Sequence, residues 1–467
     1  MPPIEPSSRW LPVSVGYLVA VVLTAGVTLL VVALLMNIFE RRYEARSPHV
    51  RVVEVTENTI DPAVWGRNWP HSFDSFSRTA DHARTRYGGS SAVPEQKLDH
   101  FPWLRTMYSG FAFSLDYREA QDHTFMLLDQ ELSERVLQRE QHGACLHCHS
   151  SVLPLYRFVG EGDVMEGFRQ VNAMPYNKAR NLTNDDGDPL VTHPATCVDC
   201  HDPETMAVRI TRPAFLVGIA SYMENMQGAK DYDVNRDASR HELRTFVCAQ
   251  CHVEYYTSAD DKQLTYPWAR GLSVDQEERY YDELGFSDWT HDLTGAPMLK
   301  AQHPEFELHS QGPHAQAGVT CADCHMPYER QGAMKVSSHH VRSPLLDLSA
   351  SCMTCHGGSE SSMLDRVHQI QERHVALTHR AAEALMDMIN AIVAARENGA
   401  TDQELEDALR YHRRAQWRLD WIFSENSHGF HAPQESARVL ADSIDFSRRG
   451  PVVAPRPAQT PRAPSAP

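Results

Sequence analysis

Residues 143–151 read GACLHCHSS, which places the thiols of Cys145 and Cys148 and the imidazoles of His147 and His149 within five consecutive positions. Such a cluster could clip a zinc ion or cycle as a redox pair. The rest of the chain decides between these readings. Its ten cysteines all fall in pairs separated by two residues and followed at once by histidine: CLHCH at 145–149, CVDCH at 197–201, CAQCH at 248–252, CADCH at 321–325 and CMTCH at 352–356. No cysteine is left over for a disulfide. Neither a zinc ribbon nor a thioredoxin-like site needs a histidine after the second cysteine, but covalent attachment of haem does. The two thiols meet the two vinyl groups, and the next side chain lies under the iron as its proximal ligand. The sequence therefore predicts five haem c groups, held through Cys145 and Cys148, Cys197 and Cys200, Cys248 and Cys251, Cys321 and Cys324, and Cys352 and Cys355. Their proximal ligands are His149, His201, His252, His325 and His356.

A chain of 467 residues, 42% hydrophobic and 22% charged, can bury a substantial core. The formal net charge of -17, with no basic run interleaved with aromatics, excludes nucleic acid as an expected partner. Residues Leu11 to Phe39 are free of charge and long enough to cross a bilayer as a helix. The run is too long for a usual signal-peptide core, and no small-x-small site closes it before Glu40, so residues 1–46 are expected to form a retained transmembrane anchor. Arg41, Arg42, Arg46 and Arg51 follow the run and only Arg9 precedes it, so counting positive charges would put the body in the cytoplasm. Bacterial haem attachment of this kind occurs on the far side of the inner membrane, and large domains override the count. The expected location is the periplasmic face of the inner membrane.

Residues 47–449 are expected to form one mainly α body in which haems replace much of the aliphatic core, with an irregular, aromatic-rich segment wrapping its start. Strand-like alternation is scarce, and the motifs are too unevenly spaced for a tandem repeat. From Met363 to Arg396 the chain runs without Pro or Gly, with apolar residues three and four apart, which predicts a long amphipathic helix. A second helix is expected from about Gln403 to Ser424, capped by Thr401 or Asp402, and a third, shorter one after Pro433. The Pro/Ala-rich stretch 450–467 is expected to be disordered.

Five haems can all be six-coordinate electron carriers, or one iron can keep an open face for chemistry. With 26 histidines the supply of second ligands decides nothing. A polar cluster able to bind an anion and deliver protons would. FVCAQCHVEYY at 246–256, FSDWTHDLTGAPMLKAQHPEFE at 286–307, RAQWRLD at 414–420 and HAP at 431–433 suggest one, and with the five motifs in order they resemble the pentahaem ammonia-forming cytochrome c nitrite reductases from about His123 to Pro433.

The resemblance implies six-electron reduction of nitrite to ammonium at an open-faced haem, fed through four bis-histidine haems. The distal pocket of that family holds an Arg, a Tyr and a His, matched here by Arg135, Tyr255 and His303; Arg135 follows His123 and Asp129 at the family's spacing. It implies distal iron ligands at His123, His314, His339 and His431, with His340 and His428 as competitors to the last two. It also implies one Ca2+ held by Glu254, the carbonyls of Tyr255 and Lys300, and Gln302. Many relatives end the first motif in a lysine that ligates the catalytic iron; His149 stands there in this chain, and His147 has no assigned role. Expected partners are nitrite, a membrane-bound multihaem quinol dehydrogenase or other cytochrome donor, the membrane, and a second copy as a homodimer. A pentahaem electron carrier without catalysis and a hydroxylamine or sulfite reductase are the alternative functions.

Overall fold

A computed structural model describes residues 11–45, 50–88, 94–139, 141–332 and 334–453. It resolves into two compact units. One contains the Leu11–Ala45 helix and a β-hairpin in which Tyr328–Gln331 pairs antiparallel with Met334–Ser337. Within that helix the most apolar 18-residue window of Val15–Arg42 has a mean hydropathy of 2.9 and exposes its apolar side chains, as a bilayer-crossing helix does. Residues 1–10 and 46–49 of the expected anchor lie outside the described residues.

The other unit starts at Val53 and is mainly helical. Among the described residues its only β-sheets are two antiparallel pairs, Tyr256–Thr257 with Leu264–Thr265 and Trp289–Thr290 with Pro297–Met298. The long helices run from Glu360 to Glu397, Asp402 to Ser424 and Pro433 to Val453, close to the expected bounds. Thr401 caps the second: its hydroxyl accepts from Glu404 N, and the Glu404 carboxylate accepts from Thr401 N. The third continues to Val453, past the expected start of the tail; residues 454–467 lie outside the described residues.

These three helices pack on one another and on the Tyr256–Leu308 region, with Trp417, Trp421, Leu385, Ile389 and Leu405 sealed inside. A second core around Leu146, Tyr156, Phe215 and Trp268 takes in residues of the first and third motifs. The wrapping segment forms short helices at Pro62–Gly66 and Pro70–Ser77, and lays Val55 and Trp65 against Leu153 and Val198.

The RAQWRLD stretch lies on the middle long helix and ties the site-bearing loops to it. Trp417 Nε1 donates to Val274 O at 3.1 Å, Arg418 forks onto Glu278 at 2.9 and 3.0 Å, and Asp420 accepts from Ala301 N at 3.0 Å. Asp420 also pairs with Lys300 Nζ at 3.0 Å, with both side chains buried.

Candidate functional site

The first, second and fourth attachment motifs each form a single helical turn, over Leu146–His149, Cys197–Cys200 and Cys321–His325. A turn puts positions three apart on one face, so both sulfurs of a pair can reach the same ligand edge. Thr196 with Asp199 and Thr320 with Asp323 close the second and fourth turns as capping boxes. All ten cysteines are free of disulfides.

The proximal imidazoles are oriented from behind. His149 Nδ1 donates to Met126 O at 2.7 Å, His201 Nδ1 to Met206 O at 3.1 Å and His325 Nδ1 to Arg342 O at 3.0 Å. Fixing the proton on Nδ1 leaves Nε2 as the lone-pair donor for a metal.

Four of the five motif imidazoles face a second imidazole. Ring centres lie 6.1 Å apart for His201 and His339, 6.2 Å for His252 and His123, 6.2 Å for His356 and His314, and 6.4 Å for His325 and His431. With a metal–nitrogen bond of about 2 Å and roughly 1 Å from nitrogen to ring centre, one iron between two imidazoles requires roughly 6 Å. The four pairs therefore fit bis-imidazole haem. His428, the sequence competitor of His431, is engaged elsewhere: its Nε2 donates to Tyr87 O at 2.8 Å. His431 is steadied by Glu425, whose carboxylate lies 2.6 Å from its Nδ1. The loop carrying His314 crosses the His431 backbone at Gly312, where an added Cβ would lie 1.9 Å from His431 O.

His149 differs. Among the described residues it makes no such ring contact, and the three residues expected around its motif lie on separate segments. Arg135, on the Glu134–Gln138 helix, lays its guanidinium 4.3 Å from the Phe113 ring centre, donates from Nε to Ser133 Oγ at 3.1 Å, and acts electrostatically on His149. Tyr255 lies within the fields of Cys145, Cys148 and Arg135. Burial foremost pushes its phenol well above the ordinary value, so it holds its proton at neutral pH. His303 lies within the fields of His149, His252 and Lys300. Glu305 sits between the third motif and this pocket, with one oxygen 3.9 Å from His252 Nδ1 and 4.0 Å from His303 Nδ1.

Beside Tyr255, the buried Glu254 carboxylate accepts from Tyr281 Oη at 2.9 Å and from Gln302 N at 2.6 Å. Gln302 Nε2 reaches Lys300 O only at 3.5 Å. Burial holds the Glu254 carboxyl well above the usual carboxylate range, a cost that a divalent cation beside it would relieve. One carboxylate, two carbonyls and an amide oxygen are a hard-oxygen set suited to calcium. Among the described residues no three His, Cys, Asp or Glu side chains converge as a metal cluster.

The sulfurs also order the sites. Cys148 of the first motif meets Cys251 of the third and Cys248 of the third meets Cys321 of the fourth, while Cys200 of the second lies within electrostatic reach of Cys251, and Cys324 of the fourth within that of Cys352 of the fifth. Sequence reasoning missed Glu305, Glu425 and the structural work of Asp420; only Asp420 carried a signal, its place in RAQWRLD. His147 is buried, with Nδ1 3.2 Å from Tyr156 Oη.

The chain is similar to curated proteins named cytochrome c-552. That of Bacteroides fragilis is 37% identical over 88% of this chain and 80% of its own length, and that of Porphyromonas gingivalis 34% identical over 88% and 79%. The cytochrome c nitrite reductase catalytic subunit of Desulfovibrio desulfuricans, a protein with two calcium sites, superimposes with a TM-score of 0.75 at 27% identity, covering 86% of this chain and 87% of that one. The model of the cytochrome c552 family matches residues 61–460, which take in every attachment motif and the three long helices, and on that extent the chain belongs to the cytochrome c552 family.

Proposed function

We propose that this multihaem cytochrome c reduces nitrite to ammonium at the His149 site: one nitrite, eight protons and six electrons give one ammonium and two waters. The observation that carries this reading is the asymmetry of the motif imidazoles. His201, His252, His325 and His356 each face a second imidazole, whereas His149 has no such ring partner among the described residues and lies within electrostatic reach of Arg135 and His303, with Tyr255 within reach of Cys145 and Cys148 of the same motif. Likeness to a cytochrome c nitrite reductase supports it.

Haem bound at this site would supply the electron-rich, open metal face that an oxidised nitrogen anion requires. The chain supplies the rest. Arg135, held by Ser133 and Phe113, offers a planar fork and a permanent positive charge to the nitrite oxygens. His303 passes protons as N–O bonds break; burial foremost lowers its pKa to about 4, and the Glu305 carboxylate near its Nδ1 opposes that shift when the ring takes up a proton. Tyr255 keeps its phenolic proton and donates a hydrogen bond or a proton at a later step. Met126 fixes the His149 tautomer. Calcium held by Glu254, Tyr255 O, Lys300 O and Gln302 would add positive charge that draws the anion in and stiffens the loop between Lys300 and His303.

We further place the body on the periplasmic face of the inner membrane, tethered by the apolar N-terminal helix and reduced by a membrane cytochrome. Spectroscopy of the full chain tests the central reading. One high-spin, nitrite-binding haem among five, with one ammonium formed per nitrite consumed, is the expected result. Five low-spin haems would leave only an electron carrier, and faster turnover of hydroxylamine or sulfite would reassign the substrate.

A further inference from the structure

Outside the pocket, one pair of adjacent residues touches the first three attachment motifs at once. The Arg212 guanidinium donates from Nη2 to Ser150 O, directly after the first motif, at 2.8 Å, and from Nη1 to Asp199 Oδ1, inside the second, at 2.8 Å. Gln250, inside the third, accepts from Thr211 N at 2.8 Å and Arg212 N at 3.1 Å. Thr211 Oγ1 adds a bond to Asp199 O at 2.8 Å. Arg212 is 1% exposed and Asp199 2%, so neither charge is screened by solvent.

The two charges are not shared equally among the motifs. The Arg212 guanidinium lies against Ser150, next to His149 of the first motif, and its backbone lies against Gln250 of the third. The Asp199 carboxylate lies within the second motif itself, on the turn between Cys197 and Cys200. Positive charge favours a reduced neighbour and negative charge an oxidised one.

We propose that the buried Arg212–Asp199 ion pair is a fixed dipole that raises the reduction potentials of the first and third sites and lowers that of the second, biasing electrons from the second site through the third to the first. Resting on the reading of the motifs as haem sites, it makes Arg212 and Asp199 positioning residues. The pair exchanges neither electron nor proton. Electrons come from an external cytochrome donor and leave in the reduced substrate. The arrangement also gives a reason to bury an ion pair, which stability alone does not.

A site-assigned redox titration of the full-length protein tests this, with sites assigned by removing one distal imidazole at a time. In the unmodified protein the second-site midpoint must lie below those of the third and first; a second site at or above them overturns the proposal. Replacing both charges, Arg212→Gln with Asp199→Asn, should raise the second-site midpoint and lower the other two, with the fourth and fifth unmoved. Arg212→Lys should keep the spread. With five haems still bound, an unchanged spread in the neutral pair, or equal displacement of all five midpoints, also overturns it. If the double variant loses haem, the ordering in the unmodified protein decides alone. Fewer than five haems in the unmodified protein is a separate result, which removes the underlying reading rather than the dipole.

Discussion

Lys300 and Asp420 meet at 3.0 Å in an ion pair closed off from solvent, and the same carboxylate accepts hydrogen bonds from Ala301 N, Tyr108 Oη and Ser424 Oγ. Breaking such a pair leaves a charge buried alone. Asp420→Ala should lower stability by about 3–5 kcal/mol, measured by chemical unfolding. It should also slow nitrite turnover more than it lowers haem content, because the anchored loop leads directly to His303.

Pocket variants should separate binding from proton supply. His303→Asn is expected to lower kcat about 10²–10⁴-fold, the usual worth of a positioned acid or base, with five haems retained. Arg135→Lys keeps the charge and loses the fork, so its main effect should be a higher KM for nitrite. Steady-state kinetics with a reduced dye decides; unchanged constants in either variant would remove that residue from the pocket.

The two adjacent histidines of SSHH give a sharp spectroscopic contrast. His339 faces His201 across 6.1 Å, so His339→Ala should convert one low-spin haem to high-spin. His340→Ala should leave the spin count alone. The reverse pattern would exchange their roles.

Removal of calcium should reduce turnover while the haem spectrum persists, and added calcium should restore it. Glu254→Gln, which removes the only expected side-chain carboxylate ligand, should abolish that rescue. Equal activity with and without chelator would exclude a functional calcium here.

His412 sets an acid limit. It is fully buried between Thr294 Oγ1 and Gln416 Oε1, and burial, reinforced by His291, pushes its pKa down to about 3 from 6.5. The folded state then binds fewer protons than the unfolded chain between those values, so stability falls as pH drops below 6.5, by up to about 4 kcal/mol near pH 3. His412→Gln should flatten this part of the unfolding profile measured against pH.

Local chemistry was readable from the chain; long-range geometry was not. The five CxxCH motifs and the three long helices follow from spacing and period, because a haem attachment turn and an amphipathic helix are each encoded within a few adjacent residues. The meeting of His123 with His252, or of His314 with His356, depends on where loops cross in space, and no local pattern carries that. Glu305 and Glu425 escaped notice for a related reason. A carboxylate that steadies an imidazole is, in sequence, one acidic residue among 61 Asp and Glu. The resemblance already preferred His431 to His428, and the carbonyl of Tyr87, from a distant segment, engages the latter.

Gly312 shows how little separates two of the expected electron carriers. Its missing side chain lets the loop leading to His314 pass over the carbonyl of His431, so one position governs one imidazole in each of the pairs expected at the fourth and fifth sites. A single methyl group placed there would strike two neighbouring links of the wire together, a fragility that no amount of tuning at either iron could repair.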